Sequence, residues 1–345
     1  MSYKLPIIIT LLLYISTYEV LSQPMRIVTY NVENLFDIQH DTLKNDTEFL
    51  PTATRRWTYG RYQRKIHDIM QVIVGIGEEE LPVLVGLCEI ENANTLKSLT
   101  QYRPYSQLGY DYIHYESADK RGIDVALLYQ KDKFTPIASK PIEITLSNGD
   151  MGRDALYVCG TLNNGTTLHI FQVHLPSRVG GASNSEPNRI AATQTIKNSV
   201  DSIMTTEPNA AIIIMGDFND SPKDYAPHKI LGALPYKTND VYENSKLYNL
   251  AWSSKNRVSG LEGTYFYDGY WDMLDHIIVS GALLNQSLTT SINDGATIFK
   301  PDWISKWNKK RGIFVPRRTY LGTYYQGGVS DHYPIYIELF LRTTP

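Results

Sequence analysis

The chain has 345 residues, of which 42% are hydrophobic, and carries 33 basic against 36 acidic side chains for a formal charge of −3. That is enough apolar content for a large core, which excludes a disordered chain, and the slight acidic excess excludes a strongly basic nucleic-acid-binding surface without excluding a nuclease. Cys88 and Cys159 each sit in an apolar run, with no CxxC, HExxH or Cys/His cluster, so neither a disulfide framework nor a structural zinc site is indicated.

The opening residues place one lysine ahead of an apolar stretch from Leu5 to Tyr14, followed by a polar region with modest side chains at Val20 and Ser22. This is a secretory signal pattern, too short to span a bilayer comfortably. Residues 1–22 are therefore expected to be removed, leaving 23–345 as one domain exported to the periplasm or the medium, with no transmembrane segment in the mature chain. An uncleaved anchor is the alternative.

Further along, one grammar repeats: an apolar strand ends in polar, chemically capable groups. Residues 26–30 (RIVTY) run into Asn31, Glu33 and Asn34. Residues 61–77 place Ile66, Ile69, Met70 and Ile73 at helical spacing, which predicts an amphipathic helix. Residues 83–88 run into Glu89, Glu91 and Asn92, and more strands are predicted near 110–116, 123–130 and 155–162. Residues 168–173 lead to His174, and a second helix is predicted over 188–204 from the stripe Ile190, Ala191, Thr195, Ile196, Val200 and Ile203.

The most informative segment is 211–220 (AIIIMGDFND), a continuously apolar strand of the kind buried on both faces. Gly216 is expected to permit a sharp turn, placing Asp217, Asn219 and Asp220 just past the strand end. By itself this could be an Asx-turn closing a strand. Residues 271–280 then set Asp272, Asp275 and His276 at the start of another apolar strand, and Ser330, Asp331 and His332 lead into an alternating strand over 333–339. If these strands lie side by side, their polar ends share one edge.

Loops are predicted at 37–58, 179–188, 221–226, 253–263 and 295–328. The last is the longest and carries Lys300, Lys306, Lys309, Lys310, Arg311, Arg317 and Arg318 with only Asp302 opposing them. It reads either as a solvated loop or as a flank that attracts phosphates. So many strands for two helices fit a pair of mixed sheets packed face to face better than a series of βαβ crossovers.

Taken together, TYNVEN, the glutamate of GLCEIEN, RGIDVALLY, the histidine of VHLPSR, GDFND, LDHIIVS and SDHYPI resemble, in order, the motifs of the endonuclease/exonuclease/phosphatase superfamily. The resemblance spans nearly the whole mature chain. It implies an α+β fold, the four-layer αββα sandwich of two mixed sheets flanked by helices, and a divalent-metal-dependent phosphoesterase. The substrate would be a phosphate ester, with nucleic acid the leading candidate and sugar phosphates or phospholipids the alternatives, and the protein is expected to act as a monomer.

The same resemblance gives Glu89 the main metal-ligand role with Asn31 beside it, and Asp331 offers a further hard oxygen. Such donors suit Mg²⁺, with Mn²⁺ an acceptable substitute. Glu91 and Glu33 compete locally with Glu89; Glu91 and Asn92 read as the start of a helix. His332 is the candidate general base, since an imidazole titrates near neutral pH, and by family pattern Asp275 orients it. His276, on the opposite side of its strand, is assigned to packing. His174 and Asn219 are expected to donate to phosphate oxygens, and Asp217 either orients water or protonates the leaving oxygen. Arg178 and Arg121 are phosphate contacts or ordinary surface ion pairs. A non-catalytic binding protein on this scaffold would be expected to lack one of these groups, and all are present.

Overall fold

The computed structural model describes residues 24–237, 240–252, 263–286 and 295–340. The expected export segment 1–22, and all of the predicted loop 253–263 but Gly263, lie outside them. The first half runs β1 (Met25–Leu35), α1 (Tyr59–Gly77), β2 (Leu84–Ile90), α2 (Ala93–Thr100), β3 (Tyr110–His114), β4 (Asp124–Gln130), β5 (Phe134–Ile142), β6 (Ala155–Leu162) and β7 (Thr167–His174). Then come α3 (Ala182–Thr206), β8 (Ala211–Asp217), β9 (Ala233–Pro235), β10 (Leu247–Asn249), β11 (Tyr265–Tyr267), β12 (Tyr270–Asp272), β13 (Asp275–Ser280) and α4 (Gly281–Gln286). The last stretch holds β14 (Thr297–Ile298), β15 (Ser305–Asn308), β16 (Ile313–Pro316), β17 (Tyr320–Leu321), β18 (Tyr324–Tyr325) and β19 (Ile335–Leu339).

Two mixed sheets dominate, ordered β14-β19-β1-β2-β4-β3 and β5-β6-β7-β8-β13-β10-β9. β8 shows why they stack. Ile213 and Met215 join the core between the sheets, whereas Ile212 and Ile214 face Ala192, Ile196 and Val200 of α3. A strand covered on both faces needs apolar groups at every position, and this one has them. On the far side, α1 lays Ile66, Ile69, Met70 and Ile73 against the first sheet, with α2 beside it. The result is the αββα sandwich. No described helix is long and apolar enough to cross a membrane.

The pairings bring the polar strand ends to one edge. β1 is parallel to β2 and β7 is parallel to β8, so the carboxyl ends of each pair lie together. β13 runs antiparallel to β8 with Asp275 opposite Asp217, and β19 runs antiparallel to β1, which sets their amino ends at the same edge.

Several expectations need correction. Gly216 does not turn the chain: it stays within β8 at φ 141°, and a Cβ there would lie 1.9 Å from the Val173 carbonyl oxygen. Its role is close approach of two strands. The segment 182–187 is helix rather than loop, despite Pro187. Buried Arg189 donates to the Ala182 carbonyl, the Ser185 hydroxyl and Asp220, and this anchoring outweighs the local bias of a proline against helix. β5 went unforeseen because Pro136 and Pro141 interrupt it; as the edge strand of its sheet it tolerates them. Finally, 295–328 is no irregular loop but contains β14 and the ribbons β15–β16 and β17–β18.

Candidate active site

Each end of the sandwich edge contributes one or two groups to a single cleft of about 950 Å³. Asn31, Glu89, His174, Asp217, Asn219, Asp331 and His332 all line it, as do Arg121 and Arg178. Asp275 lies beneath, fully buried behind His332.

Glu89 is the extra residue of a bulge inside β2, between Cys88 and Ile90, and holds φ 67°, a left-handed conformation costly for a residue with a side chain. The strain turns its carboxylate into the cleft, where the Asn34 backbone N–H donates to Oε2 at 2.8 Å. Glu91 faces elsewhere and accepts the Asp37 N–H at 2.6 Å, while Asn92 caps α2 by accepting from Asn94 and Thr95. Asn31 donates from Nδ2 to Asp217 Oδ2 at 3.0 Å and more weakly to Glu89 Oε1 at 3.4 Å. Asp331 Oδ2 takes a short hydrogen bond from Arg318.

His332 stands between two carboxylates. Its Nδ1 is 2.7 Å from Asp275 Oδ2, and its Nε2 is 3.8 Å from Asp217 Oδ2. Burial alone would lower its pKa, but Asp275 and Asp217 overcome it and raise the imidazole to about 10. Ser330 positions the backbone here, accepting the His332 N–H while its own hydroxyl donates to the Asn31 carbonyl. The Tyr265 ring lies 4.8 Å from the imidazole and pairs with the same residue through a backbone bridge. His276 points away, stacked on Phe218.

Asp217 is raised to about 7, chiefly by burial, with His332 opposing and Asp275 adding to the rise. His174 Nε2 is 3.5 Å from Asp217 and 4.0 Å from Glu89; burial, then Arg153 and Arg121, hold its pKa well below the usual value, so the ring is neutral. Asn219, at φ 49°, spends one amide hydrogen on the Leu175 carbonyl and keeps the other. Arg178 is heavily engaged: it reaches Asp224 at 2.9 Å, Asp272 at 3.3 Å and the Asn219 carbonyl at 2.7 Å. Arg121 is freer, donating to Asn34 Oδ1 at 2.8 Å from an exposed position.

Sequence reasoning singled out Glu33, which lines the cleft, but missed the buried Lys65 beside it. Lys65 Nζ donates to the Glu33 carbonyl at 2.7 Å, and Glu33 Oε2 accepts the Thr319 N–H at 2.6 Å. Lys65 lies four residues before Ile69 on the apolar stripe of α1, and a lysine in such a stripe was the available signal. Arg153 also went unremarked, yet it ties the Ile123 and His174 carbonyls and Asp119 together.

The donor set fits a hard divalent ion. Glu89 and Asp331 offer carboxylates beside the Asn31 amide, Glu89 is held in a strained backbone, and the buried carboxylates Asp217 and Asp275 leave the pocket rich in negative charge.

A sequence profile of the Endonuclease/Exonuclease/phosphatase family matches residues 26–341. Among curated proteins none matches the chain in sequence. Solved structures share its fold at low identity. An endonuclease/exonuclease/phosphatase family protein from Bacteroides thetaiotaomicron is 17% identical, with a TM-score of 0.55 over 93% of this chain and 100% of that one. A mannosyl-6-phosphatase from the same organism is 18% identical, with a TM-score of 0.57 over 91% and 99%. The human Nocturnin catalytic domain with bound sulfate is 16% identical, with a TM-score of 0.52 over 92% and 94%. The chain belongs to the Endonuclease/Exonuclease/phosphatase family, whose members are divalent-metal-dependent enzymes that hydrolyse phosphoester bonds.

Proposed function

We propose that the chain is an exported, Mg²⁺-dependent phosphodiesterase acting on nucleic acid in an endonuclease-like manner. The observation that carries this reading is the buried His332–Asp275 pair at 2.7 Å, set in one cleft with Glu89, Asn31, His174 and Asp217. Glu89 and Asp331, with Asn31 beside them, would hold the ion, which when bound neutralises phosphoryl charge and acidifies water. His332 takes the proton of the attacking water at Nε2, and Asp275 fixes the ring through Nδ1. His174 and the remaining Asn219 amide hydrogen donate to non-bridging oxygens. Asp217, titrating near 7, returns a proton to the leaving alkoxide. Tyr265 and Tyr267, with ring centroids 6.3 Å apart at the cleft, offer faces on which a base can stack.

One observation favours a second reading, a small sugar-phosphate or lipid-phosphate substrate. Arg178 is taken up by carboxylates, and Asp119, Asp150 and Asp272 also line the cleft, an arrangement that repels an extended polyanion. Export rests on the pattern of residues 1–22. Incubating the purified protein with plasmid DNA, RNA, a phospholipid and a sugar phosphate, with and without Mg²⁺, separates the readings. Cleavage of DNA or RNA that weakens steeply with salt supports the first. Turnover of the sugar phosphate or phospholipid alone replaces it with the second.

A further inference from the structure

At the same edge, but outside the cleft, β3 and β4 bring together three ligand-type side chains. His114 closes β3, Glu116 follows two residues later, and Asp124 opens β4. One ligand atom from each lies within 4.8 Å of the other two. The sequence shows no recognised metal motif here, because the spacing is set by a strand, a loop and the return strand.

Two buried atoms in this group lack a hydrogen-bond partner: His114 Nε2 and Asp124 Oδ2. Their side chains are only 4% and 2% exposed, and the atoms lie 3.4 Å apart. At that separation they face each other as an ion pair without hydrogen-bond geometry, which leaves both atoms open to a shared cation. Two ligands at zinc-bond lengths around one tetrahedral ion stand about 3.3 Å from each other. The other Asp124 oxygen is already fixed by the Ser117 N–H and hydroxyl, which orients Oδ2 towards the imidazole. Glu116 completes the set from the solvent side.

We propose that His114, Glu116 and Asp124 form a second metal site for a first-row transition ion of the Zn²⁺ class, separate from the Glu89 centre. An imidazole with two carboxylates selects such ions over Mg²⁺, which prefers all-oxygen surroundings. The site closes the base of the loop between β3 and β4. The rest of that loop is pinned by Lys44 Nζ, which donates to the Ser117 and Asp119 carbonyls, and by Arg153 on Asp119. The loop carries Arg121 to the cleft, so an ion here stiffens the mount of that guanidinium.

The test uses the full mature chain carrying Glu89→Gln, which disables the other centre, stripped with EDTA and titrated with Zn²⁺ by calorimetry in millimolar Mg²⁺. One equivalent should bind, and X-ray absorption should show one imidazole nitrogen in its shell. Adding Glu116→Gln should weaken binding at least tenfold with an unchanged Tm in EDTA, and adding His114→Ala should abolish it. Absence of Zn²⁺ binding by the Glu89→Gln chain, or binding that neither second substitution alters, overturns the proposal and leaves a plain His–Asp ion pair.

Discussion

His332 and Asp275 meet across 57 residues of chain, Nδ1 to Oδ2 at 2.7 Å, with both side chains buried and Asp275 Oδ1 left without a hydrogen bond. A carboxylate in that position fixes the imidazole tautomer, so the two should act as one unit. His332→Ala should lower kcat by about two to four orders of magnitude with little change in KM. Asp275→Asn should act in the same direction, and the double substitution should be scarcely worse than His332→Ala alone. Additive losses in this cycle would place Asp275 outside the reacting unit.

The same geometry sets a pH dependence. Asp275 and Asp217 raise His332 to about 10, so the neutral ring that a base requires is the form they disfavour. Asp275→Asn should therefore move the pH limb of activity that reports this base to lower pH. In metal-free protein the same shift sets the sign for stability. A raised imidazole adds stability that is complete below its ordinary value of 6.5 and disappears as pH rises through about 10. The Tm gap between the native chain and Asp275→Asn, measured in EDTA, should shrink over that interval; a gap that widens contradicts the assignment.

Gly216→Ala tests the frame under the site. Its Cβ would lie 1.9 Å from the Val173 carbonyl oxygen, at a φ of 141° that L-residues avoid. Neither strand is free to yield, since His174 and Asp217 follow directly and are paired in register. The substitution should cost more than about 3 kcal/mol, in the range of strain and overpacking combined, read as a lowered denaturant midpoint. A midpoint near that of the native chain would mean that the strands can separate there.

The basic stretch is now divisible. Lys309 and Lys310 are exposed in the turn between β15 and β16, whereas the Arg311 guanidinium packs across Gly269 in the turn between β11 and β12. Lys309→Ser with Lys310→Ser should raise KM for a polyanionic substrate and flatten its salt dependence, with Tm nearly unchanged. An unaltered KM assigns these lysines to solvation alone.

Much of the frame was legible because buried strands and strand-end polar groups announce themselves: residues 211–215 are apolar at every position, and β8 is covered on both faces. What stayed hidden depends on partners distant in sequence. The first turn of α3 is held by Arg189, β5 is a strand only because an edge tolerates Pro136 and Pro141, and Lys65 is buried only because Glu33 and Thr319 meet it there. Arg178 was visible as a cation near the site, but the carboxylates that occupy it come from residues 46 and 94 positions away. Local spacing cannot show a neighbour that the fold brings from elsewhere.

The proposed function requires this cleft to hydrolyse phosphodiesters with a divalent ion held at Glu89. Its most direct test is the initial rate on bis(p-nitrophenyl) phosphate as Mg²⁺ is titrated into EDTA-stripped native protein and into Glu89→Gln. The native chain should be inactive without the ion and saturate with it, while Glu89→Gln should need far more Mg²⁺ and reach a much lower rate. Full activity in EDTA, or coincident titrations for the two proteins, would rule out a catalytic ion at Glu89.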